Sequence, residues 1–168
     1  MIKSFITYLF LFVILIVTQL LVFNNIELSG YINPYVYVLF ILLLPFDVPR
    51  VVLLLSAFLL GLCIDLFMGT PGVHSTATVL MAFARPAVLT IFSPREGYQT
   101  GTQPRMIQFG LEWFIKYTVL LVLIHHFTLF YLEVFTLQHF FSTFLRAISS
   151  SLLTSVILIF SQYFIFRK

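Results

Sequence analysis

The sequence predicts an all-α integral membrane protein with six transmembrane helices, both termini cytoplasmic, in one transmembrane domain over 1–168. Three observations carry this. Of 168 residues, 61% are hydrophobic and 9% are charged. Soluble domains carry roughly a quarter charged residues, so this chain cannot cover a water-facing surface and its main solvent is a bilayer. The apolar residues fall into long runs separated by short polar or Pro/Gly corners. The basic residues are distributed asymmetrically about those runs. With the N-terminus inside, the inner segments hold Lys3, Arg50, Arg95, Arg105, Arg167 and Lys168, whereas the outer segments 24–33, 69–73 and 133–142 hold no Lys or Arg but contain Glu27 and Glu133. That is the pattern of the positive-inside rule.

The first span, 4–23, is long enough at 1.5 Å per residue to cross a hydrocarbon core of roughly 30 Å. It lacks a small-residue cleavage site and reads as a retained anchor. A polar turn over 24–33 follows. The second span, 32–46, opens at Asn33-Pro34 and is short for a full crossing. Pro45-Phe46-Asp47-Val48-Pro49-Arg50 then stops one helix and starts the next. Asp47 and Arg50 are close enough in sequence to pair locally at this corner.

The third and fourth spans, 51–68 and 74–92, are joined by Gly69-Thr70-Pro71-Gly72. Pro71-Gly72 fits the two central positions of a type II turn, because Pro presets φ and Gly accepts φ > 0. The fourth span contains Arg85-Pro86. Pro86 frees the carbonyl of Ala82, and Arg85 is expected to donate to freed carbonyls, to snorkel inward towards Glu112 and Lys116, or to mark the end of the span. The polar stretch 93–107 reads as a loop. The fifth span, 109–132, begins with Glu112 and Lys116 in the favoured i,i+4 order. The sixth is 143–166. Tyr31, Tyr35, Tyr37, Trp113, Tyr117, Tyr131 and Tyr163 suit interfacial anchoring.

Asp65, inside apolar sequence one turn before the Gly/Pro corner, is the first candidate functional residue, since intramembrane carboxylates are expensive. It reads as a proton or cation site or, with more weight, as a structural contact to Ser75, Thr76 or Thr78 across the turn, or to Arg146 near the outer start of the sixth span. His125-His126 do not share a helix face, and His74 and His139 lack ligand-like spacing, so no metal site is expected. Ser149-Ser150-Ser151 has no nearby base and suits helix packing. Cys63 is the only cysteine. No catalytic constellation and no cofactor motif is expected. The pI of about 9.2 comes from scattered basic residues, not from a nucleic-acid patch. By elimination the chain reads as a scaffold or binding module whose surroundings are membrane lipids.

Gly61-x-x-x-Asp65 followed by Gly69-Thr70-Pro71-Gly72 resembles the corner of the bacterial rod shape-determining protein MreD family. The corner here places its second Gly directly after the Pro. The Pro45…Asp47…Pro49-Arg50 break, the size and the number of spans agree with the same family. The resemblance implies a non-enzymatic component of the bacterial inner membrane, serving cell elongation and lateral peptidoglycan synthesis. Its implied partners are MreC, the actin-like MreB, and the RodA glycosyltransferase with its transpeptidase. The family is similar in fold to the substrate-binding S components of energy-coupling-factor transporters, which supplies the alternative reading. Those components dock through small-xxx-small motifs on an early helix, and 4–23 contains no Ala or Gly.

Overall fold

A computed structural model describes residues 2–25, 31–136 and 139–165, with side chains from Ile6 to Phe164 within those ranges. Its helices are α1 (Ile2–Leu21), α2 (Leu39–Leu43), α3 (Arg50–Met68), α4 (Val73–Ile91), α5 (Met106–Phe109), α6 (Leu111–Val134) and α7 (Phe140–Ile165). Short 3₁₀ turns cover Phe23–Asn25 and Val36–Val38. Four segments are long and apolar enough to cross a membrane: Ile6–Asn25, Arg50–Met68, Leu111–Val134 and Phe140–Phe164. Helix α4 is as long as α3, but His74, Ser75, Thr76, Thr78 and Arg85 lower its hydropathy. Much of the expected polar turn, 26–30 with Glu27, and the basic end Arg167-Lys168 lie outside the described residues.

Five long helices surround one short one. Helices α3 and α4 form a tight antiparallel pair, α6 contacts α4 on one side and α7 on the other, and α1 leans on α3 and on the segment around α2. That segment departs from the expected second span. Residues 33–35 are non-helical, 36–38 form a 3₁₀ turn, and α2 is five residues long. Every residue from Pro34 to Leu44 is buried. A run of apolar residues does not distinguish a lipid-facing helix from a core element, and here the core element won. Tyr35, Tyr37 and Tyr117, expected at interfaces, are buried with it.

Outward-facing apolar residues lie on α1 (Phe10, Leu21), α3 (Leu66, Phe67) and α7 (Phe141, Phe164). Helix α6 ends at Val134 and α7 begins at Phe140, so the connection between them is shorter than expected and Glu133 belongs to the last turn of α6. The loop 93–105 is folded onto the helix ends. The Tyr98 ring stacks on Phe46 with centroids 4.1 Å apart, and its hydroxyl donates to the Leu89 carbonyl. Burial there pushes the Tyr98 hydroxyl pKa up from its ordinary value. The Trp113 indole donates to the Phe92 carbonyl at 2.8 Å. Only 95–97 and 99–101 stand fully open to solvent within 95–105.

Candidate functional site

Two polar assemblies and one aromatic cluster occupy the interior. The first is the α3–α4 corner. Gly69 closes α3 in the left-handed conformation, and Thr70 N–H reaches the Asp65 carbonyl at 3.2 Å, the closure of a Schellman-type end. Gly72 follows at φ 87°, ψ −8°, and Val73 N–H bonds the Thr70 carbonyl. This is the type II turn that Pro71-Gly72 predicts.

Gly72 also precedes α4 and has no side chain to cap it. Asp65 caps it instead, from the preceding helix. Its carboxylate is 3% exposed and accepts from the backbone N–H groups of Gly72 (3.2 Å), His74 (2.9 Å) and Ser75 (2.9 Å), and from the hydroxyls of Thr70 (3.0 Å) and Ser75 (2.6 Å). A negative charge on unpaired amides at a helix N-terminus is favourable on both hydrogen-bond and dipole grounds. Of the contacts expected for Asp65, Ser75 forms; Thr76 bonds the Gly72 carbonyl and Thr78 faces the Ala57 and His74 carbonyls. Arg146 is elsewhere: it pairs with Glu133 at 3.3 Å and lies over the Phe130 ring. Gly61 permits the close approach of the two helices, because a Cβ there would fall 2.6 Å from the Ser75 amide nitrogen.

The second assembly surrounds the 31–45 segment. Non-helical backbone inside a membrane protein must find partners from its neighbours. On the Asn33 side, Asn33 N–H bonds Ser150 Oγ (3.1 Å) and Tyr35 N–H bonds Thr154 Oγ1 (3.1 Å), both on α7. Gln19 of α1 accepts from Val36 N–H at 2.7 Å and donates to the Pro34 carbonyl at 3.1 Å. On the Pro45 side, Arg85 of α4, 1% exposed, donates to the carbonyls of Leu44 and Pro45 and, through Nε, to Tyr117 Oη at 2.9 Å. The Tyr117 hydroxyl donates on to the Leu42 carbonyl at 3.0 Å. A cation at the carbonyl end of a helix complements its dipole.

Arg85 therefore neither joins Glu112 and Lys116, which pair with each other on the surface, nor uses the carbonyl that Pro86 frees. Asp47 and Arg50 are exposed and form no ion pair with each other; their corner instead returns the chain from α2 to α3.

Between the two assemblies lies a cluster of His74, His125, His126, Tyr35 and Tyr37, all buried. Tyr37 Oη and His125 Nε2 are 2.8 Å apart. The His126 Nδ1–Val122 carbonyl contact of 2.9 Å makes Nδ1 the donor, so Nε2 accepts from Thr154 Oγ1 at 3.0 Å. The two adjacent histidines do approach, with their Nδ1 atoms 3.4 Å apart. His74 stacks on Tyr37 and meets Tyr35 edge-on. Both His74 ring nitrogens lack a hydrogen-bond partner, and Nδ1 is 3.8 Å from Asp65. Among the described residues no three His, Cys, Asp or Glu side chains group as metal ligands.

No family model, curated protein or solved structure matches this chain. Its chemistry is therefore read from its own geometry. Asp65, Gly61, Gly69, Pro71, Gly72 and Arg85 build the scaffold, and Arg146 ties α7 to α6. Sequence reasoning missed Gln19, Tyr37, Tyr117 and Thr154. Their one signal was a polar group inside an apolar run, and each bonds a segment far away in sequence.

Proposed function

We propose that the chain is a non-enzymatic, six-crossing scaffold of a bacterial inner membrane, working in cell elongation with MreC, MreB and the RodA–transpeptidase pair. The observation that carries this reading is the corner. The residues that resemble the MreD family, Gly61, Asp65, Gly69, Pro71 and Gly72, act as one unit that fixes the α3–α4 hairpin. Buried polar side chains that are spent on holding backbone favour a protein that acts by presenting a fixed surface. The broad apolar faces of α1, α3 and α7 are that surface.

Six crossings with both termini cytoplasmic agree with the distribution of Lys and Arg. At ideal rises laid end to end, residues 31–43 would reach at most about 30 Å, the thickness of the hydrocarbon core. A reporter placed at Thr136 is expected on the outer face; a cytoplasmic signal would overturn the topology.

The alternative is a substrate-binding S component of a transporter. The unpartnered nitrogens of His74 favour it; the ring-filled space around them and the absence of Ala and Gly from 4–23 count against it. A mild-detergent pull-down of the tagged chain from its native membrane separates the two. MreC or a RodA-type synthase in the eluate supports the scaffold, whereas an ATPase module overturns it.

A further inference from the structure

Helices α1 and α7 hardly touch each other. Helix α1 leans on α3 and the short α2 segment, while α7 leans on α6. The open seam between them is a groove of about 520 Å³, floored by Val36, Leu39 and Leu43 and walled by Ile14 of α1 and Ile157 of α7. That volume is ligand-sized, within the range of about 300–1,000 Å³ typical of binding clefts. It runs along α1 from Thr7 to the 3₁₀ turn at Phe23. Its lining is apolar except for Thr18 and, at the other end, Thr7, Tyr8, Gln103, Arg105 and Ser161. Gln103 donates to the Tyr8 hydroxyl there, so the 93–105 loop is fastened across that end and delivers Arg105 to it. Asp47, the nearest carboxylate in the 45–50 corner, does not line the groove.

We infer that this groove is a lateral binding site for an anionic phospholipid, with an acyl chain along α2 and the phosphate headgroup at Arg105, Gln103 and Tyr8. The charge distribution decides the occupant. A basic group between helices at the membrane surface is the arrangement that recognises acidic lipid headgroups. An interfacial tyrosine and a half-buried guanidinium supply donors at the depth where a phosphate sits. The length behind them is apolar apart from Thr18 and offers a polar ligand a single hydroxyl. The site is independent of the scaffold reading, because it requires only that the chain lie in a bilayer.

The test is native mass spectrometry of the full chain. The protein is stripped of lipid in mild detergent and re-incubated with phosphatidylglycerol or phosphatidylcholine at equal mole fraction. Retention is expected to favour phosphatidylglycerol about fivefold, the size of effect one Arg has near an anionic surface. Arg105→Gln should bring the ratio to about one, and Arg105→Lys should keep it. Ile14→Trp narrows the groove from its lipid-facing wall and should lower retention of both lipids, whereas Phe58→Trp on the outer face of α3 should not. Thermal midpoints of all four variants, equal to that of the parent, separate a lost site from a lost fold. Equal retention of the two lipids by the parent, or a preference that survives Arg105→Gln, would overturn the inference.

Discussion

The α3–α4 corner and the segment 31–45 both place polar groups inside an apolar protein, and they satisfy them by opposite means. At the corner a single carboxylate serves donors that all lie within residues 70–75, so its partners arrive with the turn itself. The 31–45 segment has no such local supply. Its amides and carbonyls are met by Gln19, Arg85, Tyr117, Ser150 and Thr154, drawn from α1, α4, α6 and α7. The corner is a local device whose hydrogen bonds all lie within one hairpin. The centre is a distributed one that exists only when the whole bundle is assembled.

The sharpest way to break this contrast is at Arg85. Arg85→Leu leaves the Leu44 and Pro45 carbonyls and the Tyr117 hydroxyl without their donor. An unsatisfied buried group costs about 1–3 kcal/mol each, so the loss is expected to exceed that of Asp65→Ala, Gly61→Ala or Thr154→Val. The readouts are the thermal midpoint in detergent and hydrogen exchange, with α2, α6 and α7 opening together. Asp65→Ala comes next, at about 2–3 kcal/mol, because Thr70 and Gly72 lie at the open turn where water can replace the carboxylate and only His74 and Ser75 lose a buried partner. Its exchange should rise chiefly at 69–76, and Asp65→Asn should be milder because one oxygen still accepts. Exchange spread through α6 after Asp65→Ala would erase the distinction between local and distributed.

Gly61→Ala should cost about 1–3 kcal/mol by forcing α3 from α4, read as a lowered midpoint at unchanged helical content. Thr154→Val should cost roughly 1–2 kcal/mol, since Tyr35 N–H and His126 Nε2 both lose a partner, while Thr154→Ser should restore the midpoint. Glu112→Gln marks the other extreme. Its pair with Lys116 is exposed, and no measurable change of midpoint is expected.

The same contrast explains what could be read in advance. Gly69-Thr70-Pro71-Gly72 encodes its turn in consecutive residues, so the hairpin was legible, with Ser75 one of four contacts offered for Asp65 and the only one that forms. The long spans were legible because composition over some twenty residues is decisive. Residues 34–44 look like lipid-facing sequence yet form the core, because apolar residues satisfy either environment. Arg85 was noticed, but its neighbour Pro86 pointed to a carbonyl on the same helix, whereas the true acceptors are the Leu44 and Pro45 carbonyls just after α2 and the Tyr117 hydroxyl on α6. Likewise, a 100° separation of His125 and His126 does not prevent contact when Tyr37 and Thr154 approach them from other elements.

The hydrogen bonds at Asn33 and Tyr35 bear on biosynthesis. Their acceptors, Ser150 and Thr154, are made 117 and 119 residues later. While the chain is emerging, Gln19 can serve Pro34 and Val36, but the Asn33 and Tyr35 amides have no side chain to bond to and must stay near water or headgroups. Only when α7 arrives can they settle into the bundle. Release of a nascent chain stalled before Ser150 should therefore leave the 31–36 region open to proteases, and the closing of that region would time the completion of the fold.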